Sequence, residues 1–137
     1  MKSKAGISSL CVALYLGLGF STAAVADEFT AEDMDRWEQQ FMDVVQKGRE
    51  LWTSGEFGTN AVSCAQCHPN AANTHPETYP KFQKQLGRVA ATWEMVNWCL
   101  RHPLEGTPLA ADDPDMIAVL AYMTWERRGV ALEPGKH

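Results

Sequence analysis

Apolar positions fall into three blocks of helical spacing, separated by polar and proline-rich connections, after an opening run of a different kind. Between residues 30 and 52, Met34, Trp37, Phe41, Val44, Val45, Gly48 and Leu51 recur at the i, i+3, i+4, i+7 spacing of one helical face. The spacing predicts a long amphipathic helix. Thr30 with Asp33 three residues on forms a capping signal, and Glu32, Asp33 and Asp35 stand where the helix dipole favours negative charge. Ser54-Gly55, and again Gly58-Thr59-Asn60, mark its end. A shorter helix is expected over residues 92–101, with Trp93, Val96 and Leu100 on one face and Met95, Trp98 and Cys99 around another; Pro103 ends it by restricting His102. The last block has signals at both ends: Asp113 as N-cap, Pro114 at the first helical position, an apolar run from Met116 to Trp125, then Arg127 and Arg128 before Gly129. No run alternates with the period of a strand and no repeat is present, so the expected fold is all-α, three to four helices joined by loops. Residues 69–80, rich in Pro, Asn, Thr and His, are expected to be an irregular loop, and residues 130–137 a loose tail.

The opening run combines Lys2 and Lys4, an apolar stretch over residues 7–20 and the small-residue site Ala24-Val25-Ala26, the three parts of a secretory leader. Its apolar core is shorter than the roughly 20 residues a bilayer-spanning helix needs. Cleavage is expected after Ala26, leaving residues 27–137 as one domain in the periplasm and discarding Cys11 with the leader. The mature chain then carries 10 basic against 17 acidic residues, a net charge of −7. Nucleic acid is excluded as a natural partner by that sign, and redox proteins with basic docking faces are favoured. No later stretch is apolar enough to span a membrane.

Three cysteines survive processing, and two of them stand in Cys64-Ala65-Gln66-Cys67-His68. Thiols at this spacing can each form a thioether to a haem vinyl group, and the adjacent histidine then lies under the iron as its proximal ligand. A redox-active dithiol would need a βαβ context, and a zinc site a second ligand pair; neither is in the sequence. The expectation is one covalently bound haem c in a class I-like cytochrome c domain whose first and last helices cross. Gly48 is placed for a close crossing, with Leu120, Tyr122 and Trp125 as candidate partners or ordinary core residues.

The iron's sixth ligand is open among several residues. The loop over residues 103–113 holds no methionine; Met116 lies on the first turn of a capped helix and Met123 deeper in it, both in core-like positions. Cys99 is the strongest candidate, because coordination would account for an unpaired cysteine in an oxidising compartment, although a free cysteine also serves as a small buried hydrophobe. His102 precedes a proline, His75 sits in a proline-flanked loop and His137 is terminal.

The runs Tyr79-Pro80-Lys81-Phe82, Trp93-Glu94-Met95-Val96-Asn97-Trp98-Cys99-Leu100, Gly106, Pro108-Leu109 and Asp113-Pro114-Asp115-Met116-Ile117-Ala118 resemble the haem domains of thiosulfate dehydrogenases and SoxA-type sulfur-oxidation cytochromes. The resemblance implies that Cys99 is the distal ligand opposite His68, and that the haem carries out or supports oxidative sulfur chemistry. The chain departs from that pattern after Cys99: family enzymes commonly continue C-M-x-R-S-M-x-G, whereas here Leu100-Arg101-His102-Pro103-Leu104-Glu105-Gly106 follows. It also has one CxxCH where thiosulfate dehydrogenases carry two, and a shorter segment between His68 and Cys99. The first functional reading is therefore an electron carrier, which needs no catalytic acid, base or nucleophile. The alternative is an oxidoreductase for inorganic sulfur compounds or the electron-accepting subunit of one, with a larger dehydrogenase or another cytochrome as partner. A third is a ligand-sensing haem protein.

Overall fold

The computed structural model describes residues 29–133; the leader read at residues 1–26 and the end of the tail lie outside the described residues. Helix α1 covers Ala31–Thr53, a single turn α2 covers Cys64–Cys67, α3 covers Thr92–Arg101 and α4 covers Pro114–Glu126. No described helix is long and apolar enough to cross a membrane.

Hydrogen-bonded caps account for the helix starts, those of α1 and α4 at the residues the sequence signals. Thr30 Oγ1 accepts from the Asp33 amide at 3.1 Å while the Asp33 carboxylate accepts from the Thr30 amide at 3.1 Å, so two of the amides that α1 cannot pair internally are satisfied reciprocally. Helix α3 starts where the Ala91 amide donates to Glu94 Oε2 at 2.8 Å, and α4 where Asp113 Oδ1 accepts from the Asp115 amide at 2.8 Å.

Helices α1 and α4 cross at Gly48. A Cβ placed there would lie 2.0 Å from the Ala118 carbonyl oxygen and 2.8 Å from Tyr122 Cβ, so the two backbones touch at that point. The crossing partner is thus the Ala118 backbone together with Tyr122. Leu120 is one of the half-buried residues packed around the core, and Trp125 lies further along, edge-on to Phe41. Around the crossing, Val45, Trp52, Ala71, Val119, Tyr122 and Met123 form the buried core.

The sequence carried no strand signal, yet Lys81–Gln83 and Arg88–Ala90 pair as antiparallel strands β1 and β2, with Phe82 opposite Val89. Three-residue strands are too short for alternation to register. The turn between them closes locally, the Gly87 amide donating to the Gln83 carbonyl at 2.8 Å with Gly87 at φ +66°. Within the loop of residues 69–80 are two 3-10 turns, Pro69–Ala71 and Pro76–Thr78. His75 is buried there, its Nδ1 3.0 Å from Glu77 Oε1, and Arg127 at the end of α4 completes the cluster. That network fastens the loop to α4.

The loop ahead of α4 is tied down by Asn97, a buried side chain on α3. Its Nδ2 donates to the Leu109 carbonyl at 2.8 Å, and its Oδ1 accepts from the Leu109 amide at 2.9 Å. Replacing Asn97 by Leu removes the partner of both half-buried Leu109 backbone groups, at roughly 1 kcal/mol each. Urea unfolding of Asn97→Leu should show a loss of about 2 kcal/mol, and an unchanged midpoint would show that the clip contributes nothing.

Candidate functional site

A cavity of about 720 Å³ opens between α2, the 69–80 loop, the β1–β2 hairpin and α3. Its volume falls in the range of small-molecule and cofactor sites. Its walls are mainly apolar: Trp52, Met95, Val96, Trp98, Leu100, Leu104 and Met123 contribute. Cys64, Cys67, His68 and Cys99 all line it. The donor set and the apolar walls fit a haem.

Local structure explains how each is presented. The turn α2 begins after Ser63, whose amide donates to Gln66 Oε1 at 3.3 Å, and it ends with the His68 amide donating to the Cys64 carbonyl at 2.9 Å. One turn therefore carries both thiols and delivers His68 directly after them. The His68 backbone is held by Trp52, whose Nε1 donates to the His68 carbonyl at 2.9 Å. His68 Nδ1 lies 2.9 Å from the Ala72 carbonyl oxygen. A carbonyl only accepts, so Nδ1 carries the proton and Nε2 keeps its lone pair for a metal.

Cys99 reaches the cavity from α3. Burial pushes its thiol above the ordinary range, with Cys67 adding to the shift. Cys64 is pushed up to about 11, first by burial and then by the nearby Cys99. The three sulfurs thus share one apolar chamber. Tyr79, also on the wall, is raised to about 12 by burial and by Cys99.

The other sequence candidates are placed elsewhere. Met116 is fully buried on the first turn of α4 and is not part of the wall; His102 is exposed and tilted against Trp98, the ring centroids 4.8 Å apart. His75 is committed to Glu77 and Arg127. Met123 does border the cavity while belonging to the core. Met95 also lines the cavity: it stands four residues before Cys99 on α3, and that i, i+4 spacing, readable in the sequence, puts both on the cavity side.

Whole-chain charge misleads about this site. The wall contains no carboxylate, but does contain Lys81 and Lys84 from the hairpin. Acidity is concentrated instead on the first half of α1, where residues 31–43 hold five acidic side chains and one basic one.

Residues 47–132 match the family described as SoxA/TsdA, cytochrome c domain. A thiosulfate dehydrogenase of Allochromatium vinosum is 31% identical over 87 residues, which is 55% of this chain and 32% of that protein. A thiosulfate dehydrogenase of Psychrobacter arcticus is 28% identical over 120 residues, 78% of this chain and 35% of that protein. The chain spans about a third of the length of these curated relatives. The crystal structure of SoxXA from P. pantotrophus has the same fold, with a TM-score of 0.64 at 22% identity, covering 75% of this chain and 40% of that one.

Proposed function

Because the chain belongs to the SoxA/TsdA cytochrome c domain family, we propose that it is an exported electron-transfer protein carrying one haem c. In this reading Cys64 and Cys67 would hold the haem through thioethers, and His68 and Cys99 would hold its iron. The observation that carries it is the convergence of these four residues on one apolar cavity, with His68 held so that only Nε2 is available to a metal.

When bound, haem supplies a one-electron couple between ferric and ferrous iron. The protein's part is to hold, orient and desolvate. The Trp52 and Ala72 hydrogen bonds fix the backbone and ring of His68, so the ligand does not reorient between redox states. The apolar walls would limit water around the group, and an anionic sulfur from Cys99 would favour the ferric state and lower the potential. No proton donor or nucleophile is required. The leader over residues 1–26 supports export to the periplasm, where haem c domains of this kind exchange electrons with other proteins.

A second reading, oxidation of an inorganic sulfur anion such as thiosulfate or electron acceptance from an enzyme that oxidises one, is favoured by one feature of the site. Lys81 and Lys84 are among the residues that line the cavity, whose lining holds no carboxylate, a setting that favours anions even with Glu77 acting on Lys81 from outside it.

The oxidised absorption spectrum with and without Cys99 tests the first reading. Cys99→Ala should abolish a thiolate-type spectrum and raise the midpoint potential by on the order of 0.1 V, within the ~0.8 V span that axial ligands command. An unchanged spectrum would remove Cys99 from the iron. Reduction of the purified protein by thiosulfate alone favours the second reading, and reduction only through a partner protein the first.

A further inference from the structure

The loop that follows His68 is built from backbone conformations that most residues avoid. Asn70, Ala71, Asn73 and His75 have φ of 49°, 54°, 59° and 49°, so four non-glycine residues of one short segment stand in the left-handed region. Asn and His enter that region more readily than most residues, but alanine does not. A segment of this kind keeps its shape only where its surroundings over-determine it.

Two anchors do so. Ala71 is fully buried in the core with Val119, Tyr122 and Met123 of α4, and His75 is buried at the other end of the segment, its Nδ1 3.0 Å from Glu77 Oε1. A carboxylate oxygen only accepts, so Nδ1 carries the proton and donates to it. Arg127, at the end of α4, brings Nη2 to 3.3 Å from His75 Nδ1 and 3.7 Å from Glu77 Oε1, which sets the cation against the carboxylate that His75 holds. Thr74 Oγ1 donates to the Ala71 carbonyl at 2.7 Å and braces the segment between the anchors. Within that segment stands Ala72, whose carbonyl oxygen is the one 2.9 Å from His68 Nδ1.

We propose that His75, Glu77 and Arg127 form a latch that positions the Ala72 carbonyl on His68 and, through that hydrogen bond, sets the strength of the proximal ligand. None of the three lines the cavity, so they are positioning residues. The inference rests on His68 as a ligand of the iron. A histidine whose Nδ1–H is held by a carbonyl is a stronger donor at Nε2 and favours the ferric state; a loosened carbonyl weakens it and raises the midpoint potential. The sign separates this role from a simple charge effect. Loss of the Arg127 cation acting only through space would favour the ferric state and lower the potential, whereas loss of the latch raises it.

The test compares variants of the holoprotein by redox titration and, in the reduced protein, by hydrogen exchange followed with NMR. Arg127→Leu and His75→Leu should raise the ferrous-to-ferric ratio severalfold at a fixed ambient potential, and should speed exchange of the His68 Nδ1 proton and the Ala72 amide roughly tenfold. His75→Asn should restore both readouts, because its amide nitrogen occupies the place of the histidine Nδ1 and asparagine accepts a left-handed backbone. Where a leucine variant does not fold, Glu77→Gln, which removes the charge that holds Arg127, reads the same two protons, again with faster exchange expected. Three outcomes overturn the proposal: a potential that falls or stays constant in Arg127→Leu, exchange at His68 and Ala72 equal to that of the parent, or no rescue by His75→Asn. A parent protein without the spectrum of a histidine-ligated haem c would overturn the proposed function itself, a result visible before any variant is made.

Discussion

Gly48→Ala should destabilise the domain by about 3 kcal/mol or more, although alanine is the better helix former by roughly 1 kcal/mol. The sign is decided by geometry. The added carbon would meet the Ala118 carbonyl oxygen at 2.0 Å and its carbonyl carbon at 2.6 Å, and these are backbone atoms that cannot rotate aside. Relief requires α1 and α4 to separate, which loosens Val45, Trp52, Val119, Tyr122 and Met123 together. For a domain whose total stability lies at about 5–15 kcal/mol, that is a large fraction. Urea unfolding of the holoprotein measures it; a midpoint equal to or above that of the parent would mean that the helices do not cross in contact at Gly48. Trp52 also donates to the His68 carbonyl, so the same substitution should weaken the hold on the proximal histidine.

The second large effect concerns the cofactor. On the proposed reading, Cys64→Ala with Cys67→Ala leaves haem held only by its ligands and by apolar contact, so acidified acetone should extract it from the variant and not from the parent. The apolar chamber makes loss of haem costly to the fold as well. Without haem, the apolar side chains around a chamber of about 720 Å³ lose the packing partner that fills it. The chain without haem should therefore collapse or expand around the site and not keep the chamber open. Loss of near-ultraviolet circular dichroism with retention of far-ultraviolet helix signal would report this state. A double variant that keeps non-extractable haem would rule out the thioether assignment.

Both predictions turn on how parts distant in sequence meet, and the sequence was uneven in revealing that. Helices α1, α3 and α4 were legible with their bounds because their information is local: a 3.6-residue period, caps at Thr30 and Asp113, and Pro103 and Gly129 past the ends. The 81–90 hairpin was not legible, since strands three residues long leave no periodic trace and are fixed by pairing across a turn. The sequence marks Gly48 for close approach with Leu120, Tyr122 and Trp125 as candidate partners; Tyr122 is the one that meets it, joined by the Ala118 backbone, a choice that depends on how one helix is rotated about its axis relative to the other.

The same division holds for the site. By itself the sequence determined the local chemistry: CAQCH places two thiols and an imidazole within five residues, whatever the rest of the chain does, and the unpaired Cys99 marks a second point of interest. Only the tertiary structure decided which distant groups join them. It put Cys99 and Met95 on the cavity wall, withdrew Met116 into the core, committed His75 to Glu77 and Arg127, and left His102 against Trp98 at the surface. It also divided the charge, with lysines at the cavity and carboxylates along α1, where a summed net charge gives only one sign. Spacing along a chain fixes neighbours within a turn or two of helix; which faces then meet is settled by packing, and packing is a property of the whole fold.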